Sequence, residues 1–142
     1  LMNAEPTKRV WLNGTFDVVH LGHIKLFQHA KTLYPNSTIC VGVDTDDRVR
    51  QLKGPNRPIN PLQFRVEFLK AIRFIDQVVT FTTDSDLREE IALFNPDVML
   101  IGDDYRHHTI VGEDLIPRIE YVRRFDSLST TSLIECQNCG YS

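Results

Sequence analysis

The sequence lacks the features that mark membrane, secreted and nucleic-acid-binding proteins. No apolar run approaches the ~18 residues of a membrane-spanning helix, and residues 1–6 are polar and unlike a secretory signal. The 142 residues carry 16 Lys and Arg against 19 Asp and Glu, so the net charge of −3 gives no basic excess to attract nucleic acid. We therefore predict a cytoplasmic protein with neither a membrane nor a nucleic acid as partner.

Cysteine is scarce as well. Three cysteines are an odd number without framework spacing, which favours reduced thiols over disulfides. Cys40 lies in an apolar run and is predicted to be part of the core. Cys136 and Cys139 have CxxC spacing but no second pair of ligands, so a frayed tail is favoured there over a zinc or redox site.

Strand and helix patterns alternate along the chain, which is the length of one domain. We predict one domain over 8–136, with flexible tails at 1–7 and 137–142. Alternation of this kind favours an α/β fold, a parallel sheet of about five strands with helices on both faces. The predicted strands are 9–12, 38–43, 76–81, 97–101 and 120–125, and the predicted helices are 23–33, a short one near 46–52, 61–74 with Asn60 as N-cap, 84–94 and one opening at 129.

The segment 13–23 is the strongest candidate for a ligand site. It joins the first strand to the first helix through Gly14 and Gly22, and it carries His20 and His23. A helix N-terminus attracts anions through its dipole and its backbone N–H groups, and the imidazoles add further donors. A metal pair is the rival interpretation, but no third ligand with supporting spacing accompanies it. The residues alone thus favour phosphate binding.

Two motifs carry a resemblance to a known family. Gly-Thr-Phe-Asp-Val-Val-His-Leu-Gly-His at 14–23 resembles the signature of the HxGH nucleotidyltransferases, specifically the cytidylyltransferase-like group. Arg-Phe-Asp-Ser-Leu-Ser-Thr-Thr at 124–131 resembles the second signature of that group. The resemblance covers residues ~9 to ~135. It implies a Rossmann-like fold and transfer of a nucleotidyl group from a nucleoside triphosphate to a phosphorylated acceptor, with release of pyrophosphate.

The resemblance also implies residue roles. His20, His23, Lys53 and Arg124 are the implied catalytic residues, and Arg65 together with Lys53 would bind the acceptor or nucleotide phosphate. For Asp17, a turn-stabilising role is an equal alternative to a nucleotide contact. Mg²⁺ is expected to accompany the triphosphate without a dedicated protein site, and a homodimer is implied. The implied nucleotide-binding residues are Gly14, Thr15, Phe16, Asp17, Gly22, Asp103, Ser129 and Thr130.

Two subgroups of the family compete for the substrate. Residues 14–17, 23–26 and 102–105 resemble glycerol-3-phosphate cytidylyltransferase, whereas 50–61 and 109–112 resemble the adenylyltransferase domain of ADP-heptose synthase. The second subgroup usually has Lys-Gly-Gly-Asp-Tyr where this sequence has Ile-Gly-Asp-Asp-Tyr. We therefore predict CTP and a small phosphorylated polyol or sugar such as glycerol 3-phosphate. The alternatives are ATP with a heptose 1-phosphate, and a regulatory module that binds a nucleotide without catalysis.

Overall fold

The computed structural model describes residues 7–123. Five strands alternate with four helices, and two single 3₁₀ turns follow the fourth strand, at Asp103–Tyr105 and Glu113–Leu115. In chain order the elements are β1 (Lys8–Gly14), α1 (Leu21–Leu33), β2 (Ser37–Asp44), α2 (Asp46–Lys53), α3 (Leu62–Lys70), β3 (Gln77–Phe81), α4 (Asp84–Phe94), β4 (Val98–Gly102) and β5 (Arg118–Val122).

The five strands form one parallel sheet in the order β3-β2-β1-β4-β5. The chain moves outward from β1 through β2 to β3, then returns to the other side of β1 for β4 and β5. The order in which strands are added to the sheet therefore reverses between β1 and β4. Ligands of open α/β sheets bind at such a point, beyond the carboxyl ends of the strands. The fold thus places the turn after Gly14 at the position where a ligand is expected.

Two hydrophobic clusters cover the two faces of the sheet. Successive side chains of a strand point to opposite faces, and β1 follows this rule. Val10 and Leu12 pack with Phe27 of α1 and Leu69 of α3, whereas Trp11 packs in the second cluster with residues of α4. The predicted α/β fold, with helices on both faces of a sheet of about five parallel strands, is confirmed.

Trp11 and Cys40 are both fully buried in the second cluster. The Trp11 indole Nε1–H donates to Asn13 Oδ1 at 2.9 Å, which satisfies its polar atom. A Cβ at Gly42 would lie 2.7 Å from the Trp11 ring, so the glycine makes room for the indole. The predicted core position of Cys40 is confirmed, and burial, with the nearby Glu90 charge, raises the pKa of its thiol to about 12. Cys40 is therefore a protonated core residue.

Helix α3 differs most from its prediction. Its N-cap is Pro61 instead of Asn60, because the Asn60 side chain donates to the Asp17 carbonyl at 2.5 Å. The helix ends at Lys70 instead of Phe74, and hydrogen bonds that reach three residues back carry the chain from there toward β3. Phe68 belongs to the apolar residues of α3, yet 61% of it is exposed.

The last predicted strand is also shifted, since β5 occupies Arg118–Val122 instead of 120–125. The predicted helix opening at 129 lies outside the described residues. Within 7–123, no helix is both long enough and apolar enough to cross a membrane.

Candidate active site

The turn between β1 and α1 is folded around a buried aromatic ring. Phe16 adopts a left-handed backbone conformation, with φ of 50°. Its ring centroid lies 5.8 Å from that of Phe27 in the core and 5.3 Å from that of His23. Burial of this side chain offsets the backbone strain, which costs of order 1–3 kcal/mol for a residue other than glycine. The turn is therefore fixed to the hydrophobic core.

His20 and His23 together cap the first turn of α1. His20 is the N-cap, and its Nδ1 accepts a hydrogen bond from the Gly22 N–H at 3.0 Å. His23 Nδ1 accepts in return from the His20 N–H at 3.2 Å, and the two ring centroids are 4.0 Å apart. A ring nitrogen that accepts a hydrogen bond carries no proton, so each neutral ring holds its proton on Nε2. The caps thus set both histidines as Nε2–H donors at the helix N-terminus.

Arg65 lies beneath the turn. Its side chain is fully buried. Nη1 donates to the carbonyl of Thr15 at 2.9 Å and to the carbonyl of Asp44 at 2.6 Å, which ties the turn to the end of β2. Nε donates to the Asn60 carbonyl, and Nη2 donates to Asp46 Oδ1 at 2.6 Å. Four of the five N–H donors of an arginine are thus committed within the protein, and this geometry gives no support to the prediction that Arg65 binds a substrate phosphate.

Asp17 joins the turn to the loop before α3. Its buried carboxylate accepts hydrogen bonds from the N–H groups of Ile59 and Asn60, each at 2.8 Å, and from Arg57 Nε at 3.0 Å. Burial alone would raise the pKa of Asp17, but these donors outweigh it, so the pKa lies below its ordinary value. Of the two roles predicted for Asp17, these contacts favour the stabilisation of the turn.

A second carboxylate supports the same turn from β2. Asp44 Oδ2 accepts from the Thr15 hydroxyl at 3.0 Å, and Asp44 Oδ1 accepts from Arg48 Nε at 2.9 Å. Sequence reasoning missed Asp44, Asp46 and Arg48. The available signal was their position directly after β2, at the edge where the ligand loops converge.

The other predicted residues lie around this edge. Lys53 is exposed at the end of α2. Gly14 ends β1, and the Gly22 N–H is used by the helix cap. Asp103 follows β4 in the first 3₁₀ turn and pairs with the Arg106 guanidinium at 2.8 Å. The structure brings the two histidines together with Thr15 and Asp17, while Arg124, Ser129 and Thr130 lie outside the described residues.

A small pocket opens beside the turn. Its volume is about 100 Å³, and apolar side chains surround the polar groups at its base. It lies between the turn and α3, and it is lined by Phe16, Asp17, Val18, Val19, Asn60, Arg65 and Phe68.

The described residues 7–123 contain no cluster of three or more His, Cys, Asp or Glu side chains that could hold a metal ion. Asp44 and Asp46 are already engaged with Arg48 and Arg65.

The model of the family described as cytidylyltransferase-like matches residues 11–135. The match spans the turn, the loop that Asp17 fixes and all five strands. The chain belongs to the cytidylyltransferase-like family. Members of this family are nucleotidyltransferases, and the chain is a nucleotidyltransferase.

Several curated relatives of this cytidylyltransferase-like enzyme carry the name bifunctional protein HldE. It is 39% identical to the bifunctional protein HldE of Campylobacter jejuni strain RM1221 over 135 residues, which are 95% of this chain and 29% of the relative. It is 40% identical to the bifunctional protein HldE of Syntrophotalea carbinolica over 130 residues, 89% of this chain and 26% of the relative. The chain thus spans less than a third of the length of these relatives.

Solved structures share the fold. The lipopolysaccharide core biosynthesis protein from Thermoplasma volcanium GSS1 matches with a TM-score of 0.69 at 22% identity, over 85% of this chain and 100% of that chain. The macrolide-efflux protein from Streptococcus pneumoniae matches with a TM-score of 0.67 at 20% identity, over 94% of this chain and 52% of that chain. Both similarities concern the Rossmann-like architecture alone.

Proposed function

We propose that this enzyme transfers the adenylyl group of ATP to a heptose 1-phosphate and releases pyrophosphate. The similarity to the bifunctional HldE proteins carries the proposal, because it extends over 95% of the chain. It includes residues 50–61 and 109–112, which resemble the adenylyltransferase domain of ADP-heptose synthase. The prediction of CTP rested on short segments, chiefly 14–17 and 102–105, and the similarity of the whole domain outweighs them.

The reaction needs positioning and charge stabilisation more than acid–base chemistry. A phosphate monoester is already a nucleophile near neutral pH. One of its oxygens attacks the α-phosphorus of ATP, the bond from that phosphorus to the bridging oxygen breaks, and pyrophosphate leaves with the electron pair. In this proposal the Nε2–H groups of His20 and His23 donate to the triphosphate oxygens on which negative charge increases.

The charged residues beside the turn divide into two roles. We assign Lys53 and Arg124 to the phosphates of ATP, as the family resemblance implies. Asp17 and Arg65 are positioning residues, because the first holds the loop 57–60 and the second holds the carbonyls of Thr15 and Asp44. The site depends on these two residues for its shape, since they fix the backbone on both sides of the histidine turn.

We assign Mg²⁺ to the phosphate oxygens of ATP, with water completing its coordination. The carboxylates nearest to the turn are paired with arginines. This pairing favours a metal ion that is bound by the phosphate oxygens of the substrate over one that is bound by these carboxylates. The metal would neutralise part of the charge on the triphosphate. The homodimer that the resemblance implies and the cytoplasmic location that the sequence predicts belong to the same proposal.

A pyrophosphate-release assay tests the substrate assignment. Purified protein with Mg²⁺ is given ATP or CTP, each with heptose 1-phosphate or glycerol 3-phosphate. We expect release with ATP and heptose 1-phosphate. Release with CTP and glycerol 3-phosphate alone would restore the cytidylyl prediction, and tight binding of ATP without release from any pair would favour a regulatory module.

His20→Asn separates catalysis from folding in the same assay. Asparagine is among the best N-caps, so the variant keeps the start of α1, but it loses the imidazole donor. We expect a 100- to 1,000-fold lower kcat, which is the usual cost of one transition-state donor, at a melting temperature within a few degrees of the wild type. His29→Ala on the same helix is the control, with kcat expected within threefold of the wild type. An unchanged kcat for His20→Asn would refute the role of His20.

A further inference from the structure

Arg57 has a buried nitrogen without a partner. The residue lies in the loop before α3, and only 16% of its side chain is exposed. Its Nε donates to Asp17 Oδ2 at 3.0 Å. Its Nη2 is buried and has no hydrogen-bond partner in the described part of the chain. A buried guanidinium N–H that lacks an acceptor is costly, and such groups in native proteins usually meet a ligand, an ion or water.

The Asp17 carboxylate does not take this second nitrogen. A paired arginine and carboxylate often form two parallel hydrogen bonds. Here Oδ1 of Asp17 accepts from the Asn60 N–H, and Oδ2 accepts from both the Ile59 N–H and Arg57 Nε. The backbone of the loop therefore occupies the place of the second bond. Arg57 is held by one edge of its guanidinium group, and Nη2 is left for another acceptor.

Arg48 shows the contrasting case within the same chain. Its Nε also donates to an aspartate, Asp44, at 2.9 Å, and its side chain is 14% exposed. In Arg48, however, Nη1 donates to the Thr82 carbonyl and Nη2 donates to Asp84 Oδ1. Each of the three side-chain nitrogens of Arg48 thus has a partner. Arg57 has similar burial and a similar ion pair, but its Nη2 has none.

We propose that Arg57 binds the phosphate group of the acceptor through Nη2. The inference rests on the proposed function, in which that group is the phosphate of a sugar phosphate. Arginine suits this ligand because its planar fork matches the phosphate oxygens. Arg65, the residue expected to bind this phosphate, has four donors committed elsewhere.

The location of Arg57 fits this role. Arg57 contacts Asp17, which precedes the histidine cap by only three residues. The attacking oxygen must reach within about 3–3.5 Å of the α-phosphorus held at that cap, so the acceptor has to approach along the same turn. The pocket of about 100 Å³ is lined by Asp17 and Asn60, so it opens next to the carboxylate with which Arg57 pairs.

Arg57→Lys tests the proposal against a structural role. Lysine keeps the positive charge and an ion pair with Asp17, but it lacks the Nη2 fork. We expect the KM for heptose 1-phosphate to rise about 10- to 100-fold, the usual effect of losing one charge-assisted hydrogen bond, while the KM for ATP stays within threefold. Arg88→Lys is the control, because the Arg88 guanidinium pairs with Asp114 and contacts no residue of the turn, and both KM values should stay within threefold there. Equal changes of both KM values in Arg57→Lys, or a fall in kcat alone, would overturn the inference.

A calorimetric titration without nucleotide separates this inference from the proposed function. The probes are inorganic phosphate and heptose 1-phosphate. Weaker phosphate binding by Arg57→Lys than by Arg88→Lys supports the inference, even if the wild type proves inactive with ATP and heptose 1-phosphate and the proposed function fails. Equal phosphate affinities of the two variants and the wild type overturn the inference, even if the adenylyl transfer is observed.

Discussion

At the scale of single residues, the two histidines combine a structural and a chemical task. Nδ1 of each ring accepts a backbone N–H at the start of α1, and this contact orients Nε2 as a donor. The sequence predicted both histidines at a helix start because glycines and an apolar helical period surround them. It did not predict that His20 is itself the N-cap, since histidine is not among the residues favoured there.

The Asp17 carboxylate should make the stability of the protein depend on pH in the acidic range. Its pKa in the folded state lies below the ordinary value, because the donors from the loop outweigh the effect of burial. A carboxylate with a depressed pKa stabilises the folded state at every pH above its pKa in the unfolded chain, near 3.9. This stabilisation is lost as the pH falls through the lower pKa of the folded state. Asp17 therefore stabilises the fold at neutral pH and ceases to do so in strong acid.

Asp17→Asn should lower the free energy of unfolding at pH 7 by about 1–3 kcal/mol, since the buried Arg57 loses its charged partner. Urea unfolding at pH 7 and at successive steps down to pH 2 measures the difference from the wild type, which should shrink on acidification. Asp86→Asn is a suitable comparison. The pKa of this exposed carboxylate is also lowered, chiefly by hydrogen bonds from the backbone of Thr83 and Thr82, but Asp86 contacts no part of the turn. A difference for Asp17→Asn that stays constant with pH would contradict the interpretation.

At the scale of secondary structure, local signals decided how well each helix could be predicted. The predicted bounds of α4 agree with the observed Asp84–Phe94, because Thr83 and Asp86 form a capping box and Asn95 in a left-handed conformation ends the helix before Pro96. The bounds of α3 were wrong at its C-terminal end. The apolar period continues past Lys70, but the chain has to turn there to enter β3, and this is a tertiary requirement.

The supporting contacts of the site could not be read from the sequence for the same reason. Arg65 reaches Thr15 across 50 positions, and Arg57 reaches Asp17 across 40. Motif spacing identifies the residues that precede a helix, because a helix start is a local structure. It does not identify which distant arginine supports that start, so the buried arginines look like solvated charges until the fold brings them together.

Helix α2 shows how one glycine sets the direction of the chain after Lys53. Gly54 ends the helix with φ of 98°, and its N–H donates to the Arg50 carbonyl at 2.9 Å. No atom lies within 4 Å of a Cβ built at this position. A side chain at Gly54 would therefore meet no steric clash, and any loss of stability on substitution would come from backbone strain.

Gly54→Ala should destabilise the protein by about 1–2 kcal/mol, because an L-residue is strained at positive φ. Gly54→Asn should cost about as much, since asparagine tolerates the left-handed helical region but not the combination of φ 98° and ψ 172° found here. Urea unfolding of the three proteins measures both losses. If Gly54→Ala were as stable as the wild type, the positive φ at this position would be refuted.

At the scale of the whole molecule, the order of the strands in the sheet explains why the candidate active site lies at one edge of it. β1 lies at the centre, and the reversal of direction beside it opens a crevice between the ends of β1 and β4. The histidine turn leaves β1 there, and Asp103 leaves β4. The alternation of strands and helices predicted the fold class and this edge of the sheet. It did not predict the choice between ATP and CTP, because both nucleotides present the same triphosphate to the turn.

Removal of Mg²⁺ should affect both binding and catalysis. ATP with Mg²⁺ at 100 times its Kd should add about 2.7 kcal/mol to the free energy of unfolding through linkage. With EDTA in excess over Mg²⁺, we expect no pyrophosphate release and a smaller stabilisation by ATP, measured as a smaller rise of the melting temperature. Full activity in EDTA would refute the assignment of Mg²⁺ to the triphosphate.

The contact between Asp17 and the loop 57–60 has a consequence for redesign of the enzyme. Asp17 accepts two of its hydrogen bonds from backbone N–H groups, those of Ile59 and Asn60. Every amino acid except proline supplies such a group. The side chain of Ile59 can therefore be exchanged for that of a relative with another acceptor while the backbone at this position keeps its contact with Asp17, whereas Arg57 and Asn60 also hold Asp17 through their side chains. Grafts that put proline at position 59 or 60 would lose that anchorage.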